Sequence, residues 1–394
     1  MSPRTPLAIA LLLPFLCLLT PARAEDSLQL PDPLIFQDGR RVTTQQDWQQ
    51  SRRAEILELF RKHVYGRAPI GRPDQLKFEV TESTPDSMDG KATRKQAKIS
   101  FSGPGGEGAI HLVLFIPNGV KRAPCFLLIC NRPQSNIDPT REKKSPFWPA
   151  EEIVARGFAA AAFFNGDVVA DRFDGFKSGV FAIYDKTPRP PDAWGAIGAW
   201  AWGASRVMDY LETDPGIDPK QVAVVGHSRG GKTALWAGAQ DERFALVVSN
   251  DSGSTGAAIA RGKQGEHIRE INKGFPHWFC ENYKAYADRE DALPVDQHML
   301  AALVAPRLLY IASASKDDWS YPKNEFLAAV HASPVYQLFG LTGISSTTMP
   351  EADSPLQDGS IGYHLRTGIH DLTLYDWNRY MDFADRHLVK SKTP

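Results

Sequence analysis

Apolar residues recur at helical spacing in WQQSRRAEILELFRKHVYG, where Ile56, Leu57, Phe60 and Val64 share a face and Gly66 ends the run. This predicts a helix early in the chain. The pattern then changes to strand-like runs, LKFEVTE, ATRKQAKISFS and AIHLVLFIP, separated by Gly- and Pro-rich breaks. They predict an antiparallel start to a sheet. From Cys125 onward the rhythm changes again. Apolar runs CFLLIC, FAAAAFF, VAVVG, LVVSN and LLYIASAS alternate with helix-like segments such as AWGAIGAWAWGASRVMDYLET. Strands that are apolar throughout and separated by helices indicate a parallel sheet covered on both faces.

In the middle of the parallel series stands VAVVGHSRGGKTALW, a G-x-S-x-G run between a buried strand and a helix, the outline of a nucleophile elbow. The fold class predicted is therefore α/β. A mostly parallel central sheet with antiparallel N-terminal strands and helices on both faces is the α/β-hydrolase plan. Ligands of such sheets bind at the carboxyl ends of the strands. There is no internal repeat and no linker long enough to divide the chain, so residues 25–394 read as a single domain.

The first 24 residues, MSPRTPLAIALLLPFLCLLTPARA, fit a cleaved signal peptide: a basic start at Arg4, an apolar run from Leu7 to Leu19, and an A-x-A site at Ala22–Ala24. The run is shorter than the roughly 20 residues of a membrane span. Export to the periplasm or the medium is the expectation, with no membrane span. A net charge of −1 and the lack of any basic cluster argue against a nucleic-acid partner. A monomer is expected. Cys125 and Cys130 lie at odd spacing in one strand and should face opposite ways as buried small hydrophobes. Cys280 could pair with one of them, but the fold does not depend on disulfides.

Ser228 is the nucleophile candidate, with Gly226 and Gly230 relieving the sharp turn. A serine at its free pKa needs a base, and the order in this fold is serine, acid, histidine. Among the downstream histidines His370 fits best, in GYHLRTGIHDLTLYDW, on a late Gly-bearing loop before a terminal helix pattern. His364 is its rival in the same loop. The acid has two candidates. Asp317 follows the LLYIASAS strand and is preferred; Asp251 follows LVVSN and is the alternative. Either could orient and stabilise the protonated histidine. Arg229 and Lys232, directly after the nucleophile, are unfavourable as a purely structural pair, because cations sit badly at a helix N-terminus.

GHSRGGKTALW, VVSNDSGSTGAA, INKGFPHWFCENY and YHLRTGIHD, with PDPLIFQDGRRVTT near the start, together resemble the glucuronoyl esterases of carbohydrate esterase family 15. The resemblance spans nearly the whole chain after the leader. It implies a serine esterase without metal or cofactor, cleaving the ester between glucuronic acid side chains of xylan and lignin alcohols. The substrate is then a glucuronoxylan or lignin-carbohydrate ester. It implies Ser228 as nucleophile, His370 as base and Arg229 as oxyanion donor. Lys232, Glu266 and Trp319 become binding residues for the uronate. Trp278 and Phe279 read as packing beneath the site. The family often has cysteine where this chain has His227, and it carries its acid at either of the two positions held here by Asp251 and Asp317. Two other functions stay open on the residues: an acetylxylan or general carboxylesterase, and a noncatalytic carbohydrate-binding protein on a hydrolase scaffold.

Overall fold

The computed structural model describes residues 28–262 and 264–389; the leader at residues 1–24 lies outside them. Helix α1 (Arg53–Phe60) is continued at both ends by π-helical turns and stops at Gly66, whose φ of 83° takes the chain out of the helix. Its buried side chains include Ile56, Leu57 and Phe60, with Val64 in the following turn, as the spacing predicts.

One nine-stranded sheet follows, in the order β1-β2-β3-β5-β4-β6-β7-β8-β9. β1 (Lys77–Asp86), β2 (Ala92–Gly103) and β3 (Gly106–Pro117) form the antiparallel start, and β3 joins β5 antiparallel. β4 (Ala123–Cys130), β5 (Ala159–Phe164), β6 (Ile217–His227), β7 (Leu246–Asn250), β8 (Leu308–Ala314) and β9 (Ile361–Arg366) run parallel. β4 has β5 on one side and β6 on the other, so successive crossovers leave in opposite directions. Between β4 and β6 this opens the crevice where such sheets bind ligands. β9 lies in the segment that the sequence reading treats as a loop.

Two apolar layers cover the sheet. On one face lie α2 (Ala196–Leu211), α3 (Arg229–Gln240) and α4 (Pro322–Leu338). On the other, α5 (Leu374–Ala384) packs Trp377, Tyr380 and Met381 against Phe126, Leu128 and Val225. Cys125 belongs to the first layer and Cys130 to the second, the opposite orientations expected at odd spacing. Cys125, Cys130 and Cys280 are buried free thiols. Tyr65 stacks on Trp236 of α3 at 4.4 Å between centroids and donates its hydroxyl to the Thr255 carbonyl. The N-terminal helix thus braces both the elbow helix and the loop after β7. No helix among the described residues is long and apolar enough to cross a membrane.

Candidate active site

Ser228, Asp251, Asp317 and His370 each sit just beyond the carboxyl end of a parallel strand or on the loop that follows. Ser228 follows β6 with φ 56° and ψ −125°, a strained position held because β6 and α3 leave the turn no alternative. Its N–H donates to the Asn250 carbonyl at 2.9 Å. A Cβ on Gly226 would lie 1.9 Å from the Gly230 carbonyl oxygen, so that position admits no side chain.

His370 follows β9. Its Nδ1 is 2.6 Å from Asp317 Oδ2, and Asp317 Oδ1 accepts the Ser320 N–H at 3.2 Å. Burial opposes ionisation of Asp317, but the hydrogen bonds from His370 and Ser320 outweigh it and hold the carboxyl below its ordinary value. The His370 ring also lies 4.6 Å from that of His227, beside the nucleophile. Asp251 is close, with ligand atoms of Asp251, Asp317 and His370 all within 4.8 Å of one another. Its contacts differ, however. Asp251 Oδ2 accepts the Asp371 N–H at 3.2 Å, and Oδ1 is buried with no protein partner. Burial, then the negative charges of Glu325, Asp376 and Asp317, push its carboxyl well above the usual range. Asp317 has the contact a triad acid needs; Asp251 holds the loop.

The rival His364 is buried inside β9. Its Nε2 meets Asp376 Oδ1 at 2.9 Å and its Nδ1 the Tyr310 hydroxyl at 3.1 Å. Asp376 also accepts Arg366 Nε, at 3.1 and 3.0 Å. Arg366 in turn donates through Nη2 to the carbonyls of Ile369 and Asp371, at 2.9 and 3.0 Å, on either side of His370. This clamp, invisible in the sequence, fixes the loop that carries the candidate base.

Arg229 opens α3 and is partly exposed. Its Nε lies 2.5 Å from Asp171 Oδ2, yet the N–H is not aimed at that oxygen, so charge holds the pair. Asp171 Oδ1 accepts His277 Nε2 at 2.9 Å and Trp278 Nε1 at 2.8 Å. Trp278 is buried, stacks on Phe275 at 3.8 Å, and lies 5.9 Å from both Arg229 Cζ and Lys232 Nζ. It is packing, as read, and also a hydrogen-bond donor. Sequence reasoning missed Asp171, which lies on the loop after β5, because no local motif joins it to the elbow.

Lys232 is 3% exposed. Its Nζ donates to the carbonyls of Ser252 and Ser254 at 2.5 and 2.6 Å and stands 3.8 Å from Glu266 Oε2. Of its three donors, two are committed to the loop after β7. Glu266 is tied by its backbone N–H to the Trp319 carbonyl at 3.0 Å. Trp319 itself is 55% exposed, on the loop that carries Asp317. The Lys232 and Glu266 side chains thus meet beside the elbow, with the Trp319 loop tied to the Glu266 backbone.

A family model described as glucuronyl esterase of fungi matches residues 148–340. A carbohydrate esterase, MZ0003, from an unknown prokaryotic organism is 41% identical over 91% of this chain and 90% of its own. The chain belongs to the glucuronoyl esterase family. Its members are carboxylic-ester hydrolases of carbohydrate esterase family 15. A 4-O-methyl-glucuronoyl methylesterase of Schizophyllum commune is 32% identical over 79% of this chain and 74% of its own. Among solved structures, a glucuronoyl esterase from Solibacter usitatus superposes with a TM-score of 0.85 at 41% identity, covering 91% of this chain and 98% of that one. A promiscuous family 15 esterase from a marine bacterial metagenome gives 0.84 at 41% identity, with 91% and 97% covered. These solved structures bear out the α/β-hydrolase fold expected from the strand pattern.

Proposed function

We propose that this esterase cleaves esters of glucuronic acid, including 4-O-methyl-glucuronoyl esters joining xylan to lignin alcohols. In this reading Ser228 Oγ attacks the C6 carbonyl while His370 takes its proton, and Asp317 stabilises the imidazolium that forms. The tetrahedral intermediate carries its charge beside Arg229, whereas the ester it forms from is neutral at C6, so the guanidinium favours the intermediate over the bound ester. His370 then protonates the departing alcohol. A water molecule, activated by the same histidine, releases the uronate. Lys232, Glu266 and Trp319 take the sugar: the carboxylate and the remaining ammonium proton serve ring hydroxyls, and the indole offers an apolar face. No step needs a metal or cofactor.

The observation that carries the reading is the His370–Asp317 contact of 2.6 Å on the loops flanking an elbow serine that is followed by two cations. In the same reading the first 24 residues are an export leader, and the protein acts as a monomer in the periplasm or the medium. The test is a panel of methyl and benzyl glucuronate against acetylxylan and an aryl acetate, with Ser228→Ala as control. A relative described as promiscuous makes the acetyl arm necessary. Preference for the acetyl esters would sink the substrate assignment. Undiminished turnover by Ser228→Ala would sink the mechanism.

A further inference from the structure

The reaction changes the charge of what it binds. The ester enters uncharged at C6; hydrolysis adds water across the acyl C–O bond, the alcohol takes one proton, and the acid formed releases the other to leave a carboxylate. A lone arginine beside C6 would stabilise the transition state and then retain that carboxylate. In this structure the arginine is not alone. Asp171 Oδ2 lies 2.5 Å from Arg229 Nε, and its other oxygen is fixed by His277 and Trp278 at 2.9 and 2.8 Å. Two adjacent side chains, His277 and Trp278, thus hold the carboxylate against the guanidinium.

We propose that Asp171 is a specificity-determining residue that discharges the product: its fixed negative charge offsets Arg229 and disfavours the free uronate relative to the neutral ester. The proposal rests on the reading of Arg229 as the residue facing C6. Burial alone would favour a neutral Asp171. The hydrogen bonds from His277 and Trp278 and the Arg229 charge outweigh it and keep the carboxyl below its ordinary value, so the charge persists at neutral pH. A carboxylate bound at the outer edge of the guanidinium would lie about 6 Å from Asp171. At an effective dielectric of about 20 the repulsion there corresponds to about a hundredfold in affinity, which partial exposure of the pair reduces to about tenfold.

The probes are free glucuronic acid and its neutral isostere glucuronamide, each measured as a competitive inhibitor of methyl glucuronate hydrolysis by the full chain. The wild-type enzyme is expected to bind the acid no more tightly than the amide. In Asp171→Asn the inhibition constant for the acid should fall about tenfold while that for the amide stays within about twofold. An acid constant that is unchanged or higher in Asp171→Asn overturns the proposal, because a merely structural Asp171 would loosen Arg229 and weaken the acid. If Asp171→Asn does not fold, wild-type binding of the acid tenfold tighter than the amide overturns it without the variant. Arg229→Gln separates the two failures: unaltered ester turnover and acid affinity in that variant would refute the placement of Arg229, and the proposal with it.

Discussion

Replacing Asp317 by asparagine removes one charge from a contact of known geometry. Asp317 Oδ2 stands 2.6 Å from His370 Nδ1, with the carboxylate 6% and the imidazole 40% exposed. With charge centres about 4 Å apart, the attraction for an imidazolium is about 4 kcal/mol at an effective dielectric of 20 and about 1 kcal/mol in water. A pair buried on one side only lies between, at about 2–3 kcal/mol, which is about 30- to 150-fold in rate. An asparagine can also donate its amide to Nδ1 and trap the wrong tautomer, which in the general serine triad extends the loss toward about 10⁴-fold. Asp317→Asn should therefore lower kcat on methyl glucuronate at least about thirtyfold. Asp251→Asn should cost less than about tenfold, since that carboxyl contacts the Asp371 N–H and is pushed toward its neutral form. Steady-state kcat and melting temperature for both variants decide the matter. A larger kcat loss in Asp251→Asn, with both proteins folded, would refute the assignment of the acid.

Arg366→Lys keeps a charge for Asp376 but cannot bridge the carbonyls of Ile369 and Asp371. It should lower kcat about ten- to a hundredfold with KM little changed, since small displacements of a reacting group are costly; a change confined to KM would contradict the clamp. Stability should fall as pH drops from about 6.5, because His227 and His298 are buried and held down to about 3 and about 4, so the unfolded chain takes up protons that the native protein refuses. The His227 share is about 2 kcal/mol between pH 6.5 and 5. Chemical denaturation of wild type and His227→Gln over that range would show equal losses if His227 contributes nothing.

The parts of this molecule that rest on local patterns were legible before any coordinates. Ile56, Leu57, Phe60 and Val64 announce α1 through spacing alone, and VAVVGHSRGG announces the elbow because only one backbone path fits those glycines. β9 was not legible. Its residues are buried on both faces, and two of them, His364 and Arg366, are polar groups satisfied by Asp376 on α5. A strand that buries a histidine and an arginine carries no alternation to detect, and the partner that makes burial tolerable lies on another element. Asp171 was hidden for the same reason. The choice between Asp317 and Asp251 turns on a 2.6 Å contact, and position after a strand cannot supply that.

Lys232 has a consequence for how this site can change. A single ammonium is both a prop for the loop after β7, through Ser252 and Ser254, and the charge paired with Glu266. A substitution meant to alter sugar preference there would strip two carbonyls of their donor and collapse the loop it was meant to retune. Variation is open to the rim instead, at the exposed Trp319. In the proposed reading the buried Lys232 is constrained by folding and the exposed Trp319 by substrate, so divergence in ligand preference should be concentrated at exposed rim positions.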